Sequence, residues 1–298
     1  MSSSLPPLKT KLTGHNGPVN VVKFNNQAGR YCLSGGRDRS IRLWNPHLGS
    51  EVKTYQGHGW EVLGLSITQD NTHFASCGGD KSVFLWDVQA GAVVRRFSGH
   101  NSKVNSVAFN HDGSVLASGS YDSTVRLWDM RARQRLPLQI LDDAKDSVVD
   151  IHIAGDRIFT ASVDGYLRTY DLRAGQLRQD FLDYSVTSVT PTADRSAVLV
   201  ATLDNKVRLI DSATGSLLAL FEGHTAESFR ARSCLGSGEA TVLCTSEDGR
   251  LFLWDLLDGK VLSDSKAHEK AVLWVDHHPS RPEILSAGSE GVINFYSN

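Results

Sequence analysis

The sequence predicts an all-β, seven-bladed propeller, and three repeating marks predict it. Trp44, Trp86 and Trp128 lie 42 residues apart, and the same ruler meets Tyr170, Ile210, Trp254 and Phe295 at intervals of 42, 40, 44 and 41. Gly-His pairs travel with it at Gly14-His15, Gly57-His58, Gly99-His100 and Gly223-His224, with Ala267-His268 in the last unit. An acidic residue stands six places before the aromatic position, as Asp38, Asp80, Asp122, Asp164, Asp204 and Asp248; Glu290 stands five before Phe295. Units of about 40–45 residues repeated in phase are the mark of blade arrays, and seven of them fill the 298 residues.

In chain order, residues 1–7 precede the pattern and are expected to be mobile. The next segment, LKTKL at Leu8 to Leu12, precedes the first Gly-His. The first three repeats read SGGRDRSIRLWN, SCGGDKSVFLWD and SGSYDSTVRLWD around their aromatic positions. The third shows the four strands of a unit: VNSVAF, then VLASGS after the turn NHDGS, then TVRLWD, then PLQIL. Short β-rich runs punctuated by Gly, Asp and Asn are antiparallel strand signals. The fourth and fifth repeats, LDDAKDSV and FLDYSV, lack the His. The fourth keeps Thr160 and Asp164 beside Tyr170. The fifth has Val200 and Ile210, so of its marks only Asp204 remains, and the sixth carries Cys244 at the Ser position. Blades four and five are therefore expected to rely on apolar packing and to open more easily. The last repeat, from Val272, has room for three strands only, so the segment at about residues 8–12 is expected to complete its blade and close the ring, removing its open edges. One domain over 1–298 follows.

Composition sets the function classes. Hydrophobic residues at 40% and charged residues at 21% suit a packed globular chain. A net charge of −2 gives no global basic footprint for duplex binding, so direct nucleic-acid binding is not expected. MSSSLPPLKTKL has no signal-peptide pattern, and no stretch approaches the ~18 apolar residues of a membrane helix; the expected location is the cytoplasm and nucleus. Cys32, Cys77, Cys234 and Cys244 form no CxxC pair and are expected as buried thiols, consistent with a reducing compartment. No P-loop, HExxH, GxSxG or EF-hand loop occurs; His277-His278 and GGDKS at 78–82 are read as turn chemistry. No metal, cofactor or catalytic residue is expected, and the chain is expected to be a monomer by itself.

These marks resemble the WD-repeat family, over nearly the whole chain. The resemblance implies a hydrogen-bonded set of His, Ser or Thr, Asp and Trp within a blade: His15, Ser34, Asp38 and Trp44; His58, Ser76, Asp80 and Trp86; His100, Ser118, Asp122 and Trp128. Such sets are structural, because buried indole, imidazole and carboxylate groups satisfy one another. It further places partner-binding residues on the face of the Gly-His loops, at Arg37, Trp60, Glu61, Lys103, Tyr121, Tyr184, Phe229 and Trp274. Asp142, Asp143 and Asp146, with Asp180 and Asp183, are expected to form an acidic arc there. Arg131, Arg133, Arg135 and Arg173 follow the aromatic-Asp pairs and are expected to form a basic cluster on the opposite face.

YQGHGWEVL, SVDGYLRTYDLRAGQL, GHTAESFR and SEDGRLFLWDLLDGK resemble the mitogen-activated protein kinase organizer subfamily. That likeness implies a non-enzymatic scaffold of the extracellular-signal-regulated kinase cascade that also joins the catalytic spliceosome. The alternative is a substrate receptor of a cullin-RING ubiquitin ligase, since Trp128-Asp129-Met130-Arg131 matches the WDxR pattern and Tyr170-Asp171-Leu172-Arg173 nearly does.

Overall fold

The computed structural model describes residues 4–26, 29–132, 136–228 and 230–298. The chain folds into a seven-bladed β-propeller, with four antiparallel strands in each sheet. Blade one comprises Val19–Phe24, Cys32–Gly36, Ser40–Asn45 and Ser50–Gln56; blade two Val62–Ile67, His73–Gly78, Ser82–Asp87 and Val93–Ser98; blade three Val104–Phe109, Val115–Ser120, Val125–Asp129 and Gln139–Leu141. Blade four comprises Val148–Ala154, Arg157–Ser162, Tyr166–Asp171 and Gln176–Phe181; blade five Val186–Pro191, Ala197–Thr202, Lys206–Asp211 and Leu217–Glu222; blade six Ser233–Leu235, Thr241–Thr245, Arg250–Asp255 and Val261–Lys266.

Blade seven joins the two ends of the chain. Val272–His277, Ile284–Gly288 and Val292–Tyr296 come from the C-terminal end, and Leu8–Thr13 pairs antiparallel with the last of these as the outer strand. The alternation in LKTKLT explains the pairing: Leu12, opposite Ile293, is buried while Lys9 and Lys11 stay outward. The expectation of a mobile 1–7 does not hold for Leu5–Pro7. Leu5 packs against the apolar cluster of blades six and seven, Pro6 is buried, and the Pro7 carbonyl accepts the Ser297 amide at 3.2 Å.

The core lies between blades. The four tryptophans of the aromatic position are among the largest fully buried side chains, packed with aromatics such as Tyr55, Phe97 and Phe221 from the outer strands. First strands of neighbouring blades pack side by side around the axis, so polar residues there face a narrow channel. All four cysteines are free and buried, and burial raises every thiol above its ordinary range.

Blade four departs from its neighbours at the outer strand. Tyr55, Phe97 and Phe221 stand opposite Ile41, Val83 and Val207, but in blade four Asp180 takes that place opposite Leu167 and Phe181 falls opposite Tyr166. A one-residue slip exchanges the two faces of a strand. Phe181 is therefore 56% exposed and leans on Tyr166 at 4.9 Å between ring centroids. Asp180 is half-buried and ion-paired with Arg178 at 2.9 Å, which takes it out of the expected acidic arc.

Candidate functional site

The Gly-His loops and the acidic turns meet on one face, where each turn carboxylate organises its blade. In blade one His15 bridges Asp38 (3.0 Å) and Ser34 (2.7 Å), and the Trp44 indole donates to Ser34 (2.8 Å). Blade two repeats this with His58, Asp80 (2.8 Å), Ser76 (2.6 Å) and Trp86 (2.8 Å). Blade three does so with His100, Asp122 (3.0 Å), Ser118 (2.8 Å) and Trp128 (2.9 Å). Burial works to raise Asp38 and Asp122. Hydrogen bonds from the histidines, Ser40 or Thr124, and the next loop amides outweigh it and hold both below the ordinary range. Blade seven substitutes Glu290, at 2.5 Å from His268, whose other nitrogen lies 2.7 Å from Ser286.

Blades four and five use a device that the sequence reading missed, and it adds a polar set to blades expected to rest more on apolar packing. Arg168 is buried and donates to Ser162 (2.6 Å) and to both oxygens of Asp164 (3.1 and 2.7 Å). Arg208 does the same to Thr202 (2.5 Å) and Asp204 (2.5 Å). The guanidinium enters the space that histidine fills elsewhere, and a bidentate, charge-assisted pair replaces the imidazole bridge. A signal was present: Arg stands four places after the turn acid in repeats one, three, four and five, at 42, 126, 168 and 208. Where His15 occupies the site, Arg42 turns outward to Glu51 at 2.6 Å.

Blade six has lost the set. Trp254 donates to the Glu222 carbonyl (3.1 Å), and both nitrogens of buried His224 lack a partner among the described residues. Burial pulls His224 down to about 4. His58→Leu removes the imidazole bridge, leaving Asp80 the Gly59 and Ser82 amides and Ser76 the Trp86 indole, and is expected to cost ~1–3 kcal/mol. His224→Leu, which breaks no hydrogen bond, is expected to be neutral or stabilising. Urea titrations of both variants check this; equal losses would mean that the imidazole bridges are not what stabilises the blades.

The expected surface residues divide. Trp60, Tyr121 and Tyr184 are 65%, 55% and 51% exposed. Lys103 lies over the Tyr121 ring at 5.1 Å. Arg37, Trp60 and Glu61 are brought together, with Arg39 and Leu273, around one cavity of about 520 Å³ between blades seven, one and two. Asp142, Asp143, Asp146 and Asp183 are exposed. Tyr170, in the aromatic position of blade four, is raised above its ordinary value by burial and by nearby Asp143. Trp274 is not a surface anchor: it is 5% exposed and stacks under Arg232 at 4.3 Å. The reason is its place on the first strand of blade seven, opposite Ala287, where the ring joins the apolar cluster shared with blades one and two. On the opposite face Arg131 is exposed but paired with Asp112 at 3.1 Å, and Arg173 is exposed. Phe229, Arg133 and Arg135 lie outside the described residues.

Beneath the Gly-His face the channel holds a charge network absent from the sequence reading. Asp150 pairs with Arg232 from blade six, accepts the Ser106 hydroxyl of blade three (3.1 Å), and accepts the Val189 amide of blade five (3.0 Å). Burial, then Arg232, lowers Lys23. Burial pushes Asp276 up to about 6 while the Phe24 amide donates to it at 2.8 Å. Among the described residues no cluster of three or more His, Cys, Asp or Glu suits a metal, and no helix is long and apolar enough to cross a membrane. His278 accepts the Ser280 and Arg281 amides, both at 3.0 Å, so its ring holds a turn.

Comparison with known proteins follows the same lines. The model for "WD domain, G-beta repeat" matches residues 6–45, 49–87 and 91–129. The chain is 47% identical to WD repeat domain-containing protein 83 of Homo sapiens, over 94% of this chain and 88% of that protein. It is 44% identical to the Mus musculus protein of the same name, over 95% and 90%. It is 42% identical to an uncharacterised WD repeat-containing protein of Schizosaccharomyces pombe, over 97% of each chain.

Proposed function

We propose, from the premise that this chain belongs to the WD-repeat family together with WD repeat domain-containing protein 83, that it is a non-enzymatic protein-interaction scaffold. One observation carries the reading: Trp60, Tyr121 and Tyr184 are each more than half exposed on the loops of a single face, while the tryptophans at the aromatic position of the blades are buried. Large rings held in solvent by a rigid ring of sheets are binding anchors rather than core. WD-repeat propellers typically bind other proteins. On its likeness to the mitogen-activated protein kinase organizer subfamily, this reading takes the partners to be kinase-cascade components, spliceosomal proteins of the catalytic stage, or both, met in cytoplasm and nucleus.

The test is gentle capture of the tagged protein from its native cell, with co-purifying proteins identified by mass spectrometry and Trp60→Ala/Tyr121→Ala run in parallel. Splicing or kinase-cascade proteins lost from the double variant are the expected result. Exposed Arg131 within the WDxR sequence favours a second reading, a cullin-RING ligase receptor. An adaptor of that ligase retained by Trp60→Ala/Tyr121→Ala and lost on Arg131→Ala/Arg173→Ala would replace the first reading with the second.

A further inference from the structure

The cavity between blades seven, one and two presents two cations without an ion-pair partner among the described residues. Arg37 and Arg39 flank Asp38, and both are exposed. The Asp38 carboxylate is already engaged by His15, Ser40 and the Asn16 amide, and its distance to the nearest guanidinium, that of Arg42, is 3.9 Å. Trp60 closes the other side of the cavity, its Cβ packed near Gly79 and its ring in solvent.

Arg39 also holds a backbone conformation that side chains avoid. Its φ is 68°, at a turn position where blades four, six and seven place Gly165, Gly249 and Gly291 and blades two, three and five place Lys81, Ser123 and Asn205, all with positive φ. Glycine is the unstrained choice there, and four of the seven blades carry a side chain instead, Arg39 being the one at the rim of this cavity. Charge is divided across the whole face. On the loops of blades one to three the exposed charged side chains are Arg37, Arg39, Lys81 and Lys103, while Asp38, Glu61, Asp80 and Asp122 are half-buried; on those of blades four and five the exposed Asp142, Asp143, Asp146 and Asp183 outnumber Lys145.

The geometry points to an acidic peptide segment as the occupant of this cavity: a short extended stretch of a partner protein with carboxylates beside an apolar side chain. The inference rests on the scaffold reading and names its ligand class. The carboxylates meet the guanidinium forks of Arg37 and Arg39, and the apolar side chain lies on Trp60 and reaches toward Leu273. A cavity of about 520 Å³ admits one or two side chains, and Glu61 in its wall together with the acidic loops across the face disfavours a long polyanion such as RNA.

The experiment pans a displayed library of random peptides against the purified full chain and measures the enriched peptides by fluorescence anisotropy. Asp- and Glu-rich peptides bearing an apolar residue are expected. Their affinity falls at least ~tenfold in Arg37→Glu/Arg39→Glu, as for close charge pairs at interfaces, and also falls in Trp60→Ala. It rises several-fold in Glu61→Gln. Arg39→Gly weakens binding without lowering the melting temperature, which separates lost recognition from lost folding. Absence of enrichment, enrichment of neutral or basic peptides, acidic peptides bound equally by the charge-reversed variant, or an RNA oligonucleotide that displaces every enriched peptide would each overturn the proposal. Any of these beside Trp60- and Tyr121-dependent partners in the capture experiment removes the acidic ligand and leaves the scaffold standing.

Discussion

Arg232→Met is expected to destabilise the ring by about 3–5 kcal/mol, the cost of leaving a buried charge without its partner. Asp150 is 1% exposed and is pulled below its ordinary value against the push of burial, chiefly by Arg232 and Arg230. With Arg232 gone, the carboxylate loses its direct ion pair and keeps the Ser106 hydroxyl, the Val189 amide and the more distant charges of Arg230 and Lys23. Arg232 also packs over Trp274, so the one ion pair ties blades three, four, five, six and seven across the axis. Asp150→Asn added to Arg232→Met removes the stranded charge and is expected to recover part of the loss. Denaturant titrations of the single and double variants decide. A single-variant cost under about 1 kcal/mol would mean that water reaches the channel and screens the pair, in the manner of a surface salt bridge.

Removal of residues 1–13 is expected to have an equal or larger effect. It takes away Leu8–Thr13, leaves the Val292–Tyr296 strand as an open edge, and uncovers the apolar surface that Leu12 seals. Loss of the buried Leu12 side chain alone is worth ~2–5 kcal/mol, and an unpaired edge invites pairing between molecules. The truncated chain should unfold at lower urea in a broadened transition and self-associate in sedimentation. Fusing residues 4–13 through a flexible linker after Asn298 should restore both properties. An unchanged urea midpoint after truncation would show that the blade does not need its fourth strand.

The repeat marks made the architecture legible because each is tied to a local requirement. The acid at the turn, the His before the first strand and the aromatic on the third strand satisfy one another within a single blade of about 40 residues, so their spacing survives in the linear chain. Ring closure was legible for the complementary reason: a last unit with room for three strands and a spare alternating segment at the front match each other. Trp60 and Tyr121 could be singled out because a large ring in a polar loop has no local packing to explain it.

Other features depended on partners far away in sequence. Arg168 and Arg208 enter the site of a missing His, yet Arg42, at the same place in its repeat, turns away because His15 is present. Asp180 and Phe181 exchange faces through a one-residue slip that is set by pairing with Tyr166–Asp171. Trp274 looked like a surface anchor by position, but the axis places it beneath Arg232. The sequence by itself determined the number of blades, the strand order and the polar set within a blade, since these are short-range and repeated. Only the tertiary structure decided which charges pair across the channel and which arginines stand free around the blade-one cavity. Residues 150 and 232 meet because seven sheets close into a ring, and no spacing along the chain encodes which two inner strands will face each other across the axis.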